Sequence, residues 1–176
     1  MSETKTLLDR NRAFSNTFEA RDLPILPKMR TVVLACADAR VDPAYFFGLE
    51  LGDAVIIRNN GGRVTPSVIE EIATLAFMVA MMDGENRQPF ELVLVQHTQC
   101  GAERFADPGF QKALKAKVGV DVSAVAITDH ELSLQDDIES LRNAPGIPDY
   151  VVVSGYIYDV QTGQVREIVS PAPLSQ

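Results

Sequence analysis

The chain has 176 residues, the length of one ordinary domain with a single hydrophobic core. Hydrophobic residues make up 46% and charged residues 23%, a globular balance that excludes a disordered or low-complexity chain. Sixteen Lys and Arg against 24 Asp and Glu leave a formal charge of -8, which disfavours nucleic acid or an anionic membrane as partner, since both need a positive field. No apolar run approaches the roughly 20 residues that cross a bilayer. The segment MSETKTLLDRNR is polar where a signal peptide needs an apolar stretch, and two cysteines cannot build a disulfide scaffold. A cytoplasmic protein is therefore expected, folded as a single domain over 1–176, with 1–30 an N-terminal helix and linker.

Residues from about Thr4 to Arg21 read as an amphipathic helix, with Leu7, Leu8, Phe14 and Phe18 on one face and Asn11 interrupting it. Pro24 and Pro27 then force an extended linker. Because this helix precedes the first strand, it covers the chain's own sheet or embraces a second subunit. Thr31 to Ala35 is the first strand, a continuous apolar run of the kind found in a sheet covered on both faces. Ala54 to Arg58 is the second. A long helix starts near Thr65, a suitable N-cap, with Pro66 at the first helical position. Its body, Val68 to Met82, is apolar almost all round, broken mainly by Glu70, Glu71 and Thr74, which predicts burial on more than one side and a subunit interface. Glu91 to Gln96 is the third strand. Short helices are expected around Gln111 to Lys117 and Ser133 to Arg142, the latter with Leu134, Ile138 and Leu141 on one face. The stretch Val118 to Thr128 has no clear pattern. Tyr150 to Ser154 forms a fourth strand that runs on into GYIYDV. After a turn at Asp159 to Gly163, Gln164 to Val169 reads as an antiparallel edge strand. The expected fold is α/β: three-layer, with a mostly parallel central sheet of four parallel strands plus one antiparallel edge strand, and an N-terminal helical extension.

Ligands of open α/β sheets bind beyond the carboxyl ends of the strands. The first strand runs into Cys36-Ala37-Asp38-Ala39-Arg40, where alternate residues project one way while the chain stays extended. The third runs into His97-Thr98-Gln99-Cys100-Gly101, where His and Cys meet if the chain turns helical. Two thiolates and an imidazole suit Zn²⁺. Three such ligands leave a fourth tetrahedral position for water or a carboxylate, the pattern of catalytic sites. The plain alternatives are two buried core cysteines and a surface Asp–Arg pair worth about 0–1 kcal/mol. A thiol redox centre is disfavoured because the cysteines are not in a C-x-x-C pair. A dinucleotide site is disfavoured because CADARVD lacks G-x-G-x-x-G.

C-x-D-x-R followed about 60 residues later by H-x-x-C-G resembles the β-class carbonic anhydrases, over most of Thr31 to Cys100. Arg58-Asn59-Asn60-Gly61-Gly62 looks like that family's R-N-x-G segment lining the pocket. The resemblance implies Cys36, His97 and Cys100 as zinc ligands and Asp38 with Arg40 as the catalytic dyad. It implies Asn59, Gly61, Gly62 and Gln99 as pocket residues, although an ordinary Asn-Gly turn explains either glycine alone. The implied activity is that of a zinc lyase of carbonic anhydrase type (carbonate dehydratase), reversible hydration of carbon dioxide to bicarbonate and a proton by zinc-bound hydroxide. A homodimer or dimer of dimers, with the N-terminal helix reaching over the partner, is implied as well.

Zinc lowers the pKa of bound water towards about 7. Arg40, able to hold a carboxylate by two parallel hydrogen bonds, would keep Asp38 off the metal; with the pair broken, Asp38 becomes a fourth ligand in a closed state. Other readings are hydrolysis of carbonyl sulfide or carbon disulfide at the same zinc, and a non-catalytic zinc-stabilised binding domain. The chain departs from the family pattern at Ala39, where a serine is usual, and at Gln99, where a related compact subgroup often has Asp. The glutamine that many members carry shortly before the first strand is missing from Asp22 to Arg30. His130 reads as a solvated loop residue, with proton shuttling as the alternative.

Overall fold

The computed structural model describes residues 2–85 and 88–175. Helix α1 (Glu3–Ser15) is followed by β1 (Thr31–Cys36), a short α2 (Pro43–Phe46), β2 (Ala54–Asn59) and the long α3 (Pro66–Asp83). Then come β3 (Glu91–His97), α4 (Pro108–Val118), α5 (His130–Arg142), β4 (Val152–Tyr158) and β5 (Val165–Pro173). The five strands form one sheet in the order β2-β1-β3-β4-β5, with only β4 and β5 antiparallel. This is the α/β architecture of four parallel strands and one antiparallel edge that the alternation predicts.

Alternation along the central strands divides the core. Val32 and Leu34 of β1, Leu92 and Leu94 of β3, and Val153 of β4 point to one face, where α3 brings Val68, Ile72 and Val79 and α5 brings Leu134, Ile138 and Leu141. Each of these side chains, when fully buried, contributes about 1.5–3 kcal/mol over exposure. Val33, Ala35 and Val95 point to the opposite face, covered within one chain by Phe46, which stacks on Tyr158 at 4.5 Å. A hollow of about 310 Å³ beside it is floored by Val33, Val93 and Tyr156. The continuous apolar run of β1 reflects this two-sided burial: all six of its residues are buried.

Helix boundaries follow the chain's own stop and start signals. Thr65 accepts the Val68 N–H at 3.3 Å with Pro66 next to it, as expected. The N-terminal helix ends at Ser15 rather than near Arg21, and none of its residues is buried. Without packing to reward further turns, Asn16 and Thr17 have little reason to stay helical. The expected burial of α3 on more than one side is not met within one chain. Its inner face is buried, whereas Phe77 and Met81 are 67% and 70% exposed. The last helix starts at His130, three residues earlier than its apolar stripe indicates, because Asp129 caps it by accepting the Leu132 N–H. The stretch without pattern begins at the last residue of α4, Val118, and is otherwise a loop holding a single 3-10 turn, Ser123–Val125.

Candidate metal centre

Parallel pairing of β1 with β3 sets Ala35 opposite Val95, so the two strands release their chains side by side at Cys36 and His97. After His97 the backbone reverses through Gln99, at φ +57°, and enters a 3-10 turn, Gly101–Ala106, with Cys100 at its N-cap. The ligand atoms of Cys36, His97 and Cys100 then lie within 4.8 Å of one another, all three side chains buried. Among the described residues this is the one group of three or more such side chains that could hold a metal ion.

Two observations test whether a zinc ion fits. The sulfurs stand 3.8 Å apart. That is too far for a disulfide, at roughly 2.05 Å, and matches the spacing of about 3.8 Å for two sulfurs each about 2.3 Å from a tetrahedral zinc. The His97 ring is fully buried with Nδ1 2.9 Å from the Thr98 carbonyl oxygen, while Nε2 has no hydrogen-bond partner. A buried ring nitrogen left unpaired is costly unless a ligand takes it, and a second ring nitrogen fixed by a carbonyl is the usual way to orient a metal-binding imidazole. The residues fit the ion.

The charge state suits it too. The Cys36 thiol is pulled down to about 4, chiefly by its hydrogen bond with Cys100 and then, against the opposing cost of burial, by His97 and the backbone N–H groups of Asp38 and Gly61. Its partner Cys100 is pushed up, because it keeps the proton of the pair. The hydrogen bonds converging on the Cys36 sulfur therefore favour its thiolate form, the form that binds a metal ion.

Asp38 and Arg40 form the forked pair that the alternate spacing predicts. Arg40 donates from Nε to Oδ1 at 3.0 Å and from Nη2 to Oδ2 at 2.7 Å, and its backbone N–H adds a third bond at 2.9 Å. The Arg40 side chain, with help from its backbone, holds the Asp38 carboxyl well below the usual carboxylate range. Asp38 is not in the metal-capable group; its oxygens are taken by Arg40. Arg40 also donates to the Gln99 carbonyl oxygen at 3.1 Å, tying the two strand ends together.

A hollow of about 330 Å³ opens over Cys36, walled by Ala37, Asp38, Asn60, Gly61, Ala102 and Phe105 among others. Of the expected pocket residues, Gly61 stands on this wall, whereas Asn59, Gly62 and Gln99 are not among the residues that line it. The Asn59 amide is locked onto the Arg63 backbone, donating at 2.7 Å and accepting at 2.9 Å, so it braces the turn instead of facing inward. Gly62, at φ +64°, is wedged between strands: a Cβ there would lie 2.9 Å from the Val95 carbonyl oxygen and 3.0 Å from the Cys36 nitrogen. Gln99 offers its carbonyl group, with its residue exposed.

Sequence reasoning missed several supports. Arg58 donates to the carbonyl oxygens of Cys36, Asp38 and Val41 at 3.0, 2.7 and 2.8 Å, and so shapes the turn that carries the dyad. Glu103 accepts the Cys100 N–H at 3.1 Å. Its position three residues after a cap is a readable signal, because a capping box has this spacing. His130 is not a solvated loop residue. It opens α5 with its side chain 18% exposed and both ring nitrogens engaged. Asp129 caps the helix and thereby turns the ring inward, a placement without a local sequence signal.

Comparison with known proteins agrees with this geometry. The family profile described as carbonic anhydrase matches residues 31–132. Beta-carbonic anhydrase 1 of Mycobacterium tuberculosis is 27% identical over 170 residues, covering 96% of this chain and 99% of that protein. A carbon disulfide hydrolase of Acidithiobacillus thiooxidans is 32% identical, covering 83% of this chain and 80% of that protein. In structure, the chain superposes on a carbonic anhydrase of Streptococcus mutans with a TM-score of 0.81 and 37% identity, over 96% of this chain and 98% of that one.

Proposed function

Since the chain belongs to the carbonic anhydrase family, in its beta class, we propose that it binds zinc through Cys36, His97 and Cys100 and catalyses the reversible hydration of carbon dioxide to bicarbonate and a proton. The observation that carries this reading is the sulfur separation of 3.8 Å beside an unpartnered His97 Nε2, with a clamped carboxylate at the mouth of the same hollow. When bound, zinc supplies the Lewis acidity that makes water a nucleophile near neutral pH.

The chain's own residues do the rest. Cys36 and Cys100, both as thiolates once loaded, balance the charge of a divalent ion inside a buried pocket. Asp38 accepts the hydrogen bond of the reacting water and turns its lone pair towards the substrate. Arg40 holds that carboxylate ionised and away from the three ligand side chains; released from Arg40, Asp38 would be free to serve as a fourth ligand. The Asp38 carboxyl has a folded value below its ordinary value of about 3.9, so the stability it contributes is present above that pH and is lost as the pH falls through the folded value. Across the neutral range the carboxylate stays charged. Ala37, Gly61, Ala102 and Phe105 give the hollow the apolar walls that a linear, uncharged triatomic molecule needs.

The same walls, with the carbon disulfide hydrolase relative, favour a second reading in which carbon disulfide or carbonyl sulfide is the substrate of the same site. Turnover of carbon dioxide and carbon disulfide by the zinc-loaded protein separates them. Hydration of carbon dioxide is expected to dominate, and faster hydrolysis of carbon disulfide overturns the first reading. Arg40→Ala is expected to slow hydration by about 10- to 100-fold, the range for groups that orient a metal site from behind its ligands. An unchanged rate removes the clamp role.

The fold also supports a homodimer or a dimer of dimers, with 1–176 acting as one domain. The apolar stripe of α1 leaves Leu7 and Phe14 62% and 53% exposed, and α3 leaves Phe77 and Met81 bare. Apolar surface of this extent, together with the open sheet face, calls for a second copy. Light scattering is expected to give two or four times the chain mass of 19.3 kDa, and a monomer overturns the assignment. No helix among the described residues is long and apolar enough to cross a membrane. Unbridged Cys36 and Cys100 suit the reducing cytoplasm, where we place the protein.

A further inference from the structure

We infer that His130 is a positioning residue of the metal site, holding the ligand-bearing segment at both ends through Gln96 and Glu103. This rests on the zinc reading above. His130 is the first residue of α5, and Asp129 anchors its backbone by capping that helix, with the Leu132 N–H donating to the Asp129 carboxylate at 3.0 Å. The helix therefore does not need the His130 side chain for its own start. The ring instead faces Gln96 and Glu103, on either side of the ligand-bearing turn. Nδ1 lies 2.8 Å from Gln96 Oε1, and Nε2 lies 3.2 Å from Glu103 Oε1.

Each of those partners bears directly on a ligand. Gln96 is fully buried, immediately precedes His97, and its Nε2 has no hydrogen-bond partner. Its amide is thus oriented through the oxygen that faces His130. Glu103 uses the same Oε1 to accept the Cys100 N–H at 3.1 Å. One imidazole on a different element thereby clamps the segment between residues 96 and 103, which carries His97 and Cys100 and reverses direction through Gln99. That turn is where a small displacement would change the ligand spacing, because a left-handed non-glycine residue is held only by its surroundings. Partners behind metal ligands fix their orientation and are worth about 10- to 100-fold in metal affinity or activity.

Zinc release from the loaded protein to an excess of chelator tests this. His130→Ala and Glu103→Ala are each expected to speed release about 10-fold or more. The double variant is expected to speed release by clearly less than the product of the two single effects, because both changes cut the shared His130–Glu103 contact while each also removes one contact of its own, to Gln96 or to the Cys100 N–H. Glu103→Gln recovers most of the loss, since an amide oxygen still accepts the Cys100 N–H. Glu103, with a side chain 48% exposed, reads the connection without altering α5. Unchanged release in His130→Ala, or independent effects that multiply in the double variant, overturns the inference. So does a fall in the thermal midpoint of the metal-free protein with release unchanged, the pattern of a merely structural residue. A wild type that takes up no zinc overturns the zinc reading and this one together. A wild type that holds zinc while His130→Ala holds it equally well overturns this one alone.

Discussion

Cys36→Ala is expected to leave a folded chain that no longer retains zinc and hydrates carbon dioxide at least 100-fold more slowly, beyond the range of roughly 10- to 100-fold seen when a group behind the ligands is removed. The reason is ligand number and charge. Cys36 and Cys100 supply both sulfurs, 3.8 Å apart, and His97 supplies the remaining nitrogen. Losing one leaves two donors, one thiolate against a divalent ion, and a hollow open to water on that side. The fold should survive, because Cys36 contributes one small side chain at the end of β1, and Ala35 beside it shows that a methyl group suits the strand. Metal content by mass spectrometry and stopped-flow hydration measure the two losses together. A variant that keeps both zinc and activity removes Cys36 from the site.

Asp137→Ala is expected to destabilise the protein by about 3–5 kcal/mol, the cost of stranding a buried charge. Arg63 and Asp137 are the most deeply buried ion pair among the described residues, with side chains 7% and 2% exposed and Nε 2.8 Å from the carboxylate. Arg63 also donates to the Ala126 carbonyl oxygen at 2.9 Å. The pair joins the glycine turn behind the metal centre to α5, so removing the carboxylate leaves a guanidinium with no water to receive it. Burial pushes the Asp137 carboxyl above its ordinary value, with Arg63 opposing. A raised folded value means that the stability tied to this group is fully present below about 3.9 and declines as the pH rises through the folded value. The variant lacks that slope. Replacing both partners, Arg63→Met with Asp137→Leu, should recover most of the loss, since an apolar pair of similar volume needs no solvation. Urea unfolding at two pH values checks both parts, and a loss under 1 kcal/mol in Asp137→Ala would show that water reaches Arg63.

The strands and the two ligand-bearing ends were legible because their signals are local. TVVLA, AVIIR and ELVLVQ are uninterrupted apolar runs, which only a doubly covered sheet tolerates, and each occurs as a strand within a residue or so of its expected bounds. Cys36 closes β1 and His97 closes β3; once the strands are parallel neighbours, their last residues share one edge of the sheet. The forked Asp38–Arg40 pair is likewise a matter of alternate spacing. What was not legible depends on residues far apart in the chain. Asn59 reads as a pocket residue but turns its amide to Arg63, because the two glycines after it bring the chain back over that amide. His130 meets Gln96 from 34 residues away, and Arg63 meets Asp137 from 74.

The amino-acid sequence by itself therefore determined the sheet, its polarity, and which thiols and imidazole gather at its carboxyl edge, since strand periodicity and parallel connection follow from short-range sterics and hydrophobic burial. Only the tertiary structure decided how the gathered groups are held. The orientation of a buried amide, carboxylate or imidazole is chosen by whichever polar partner lies within hydrogen-bond reach after packing, and no period in the chain records that choice.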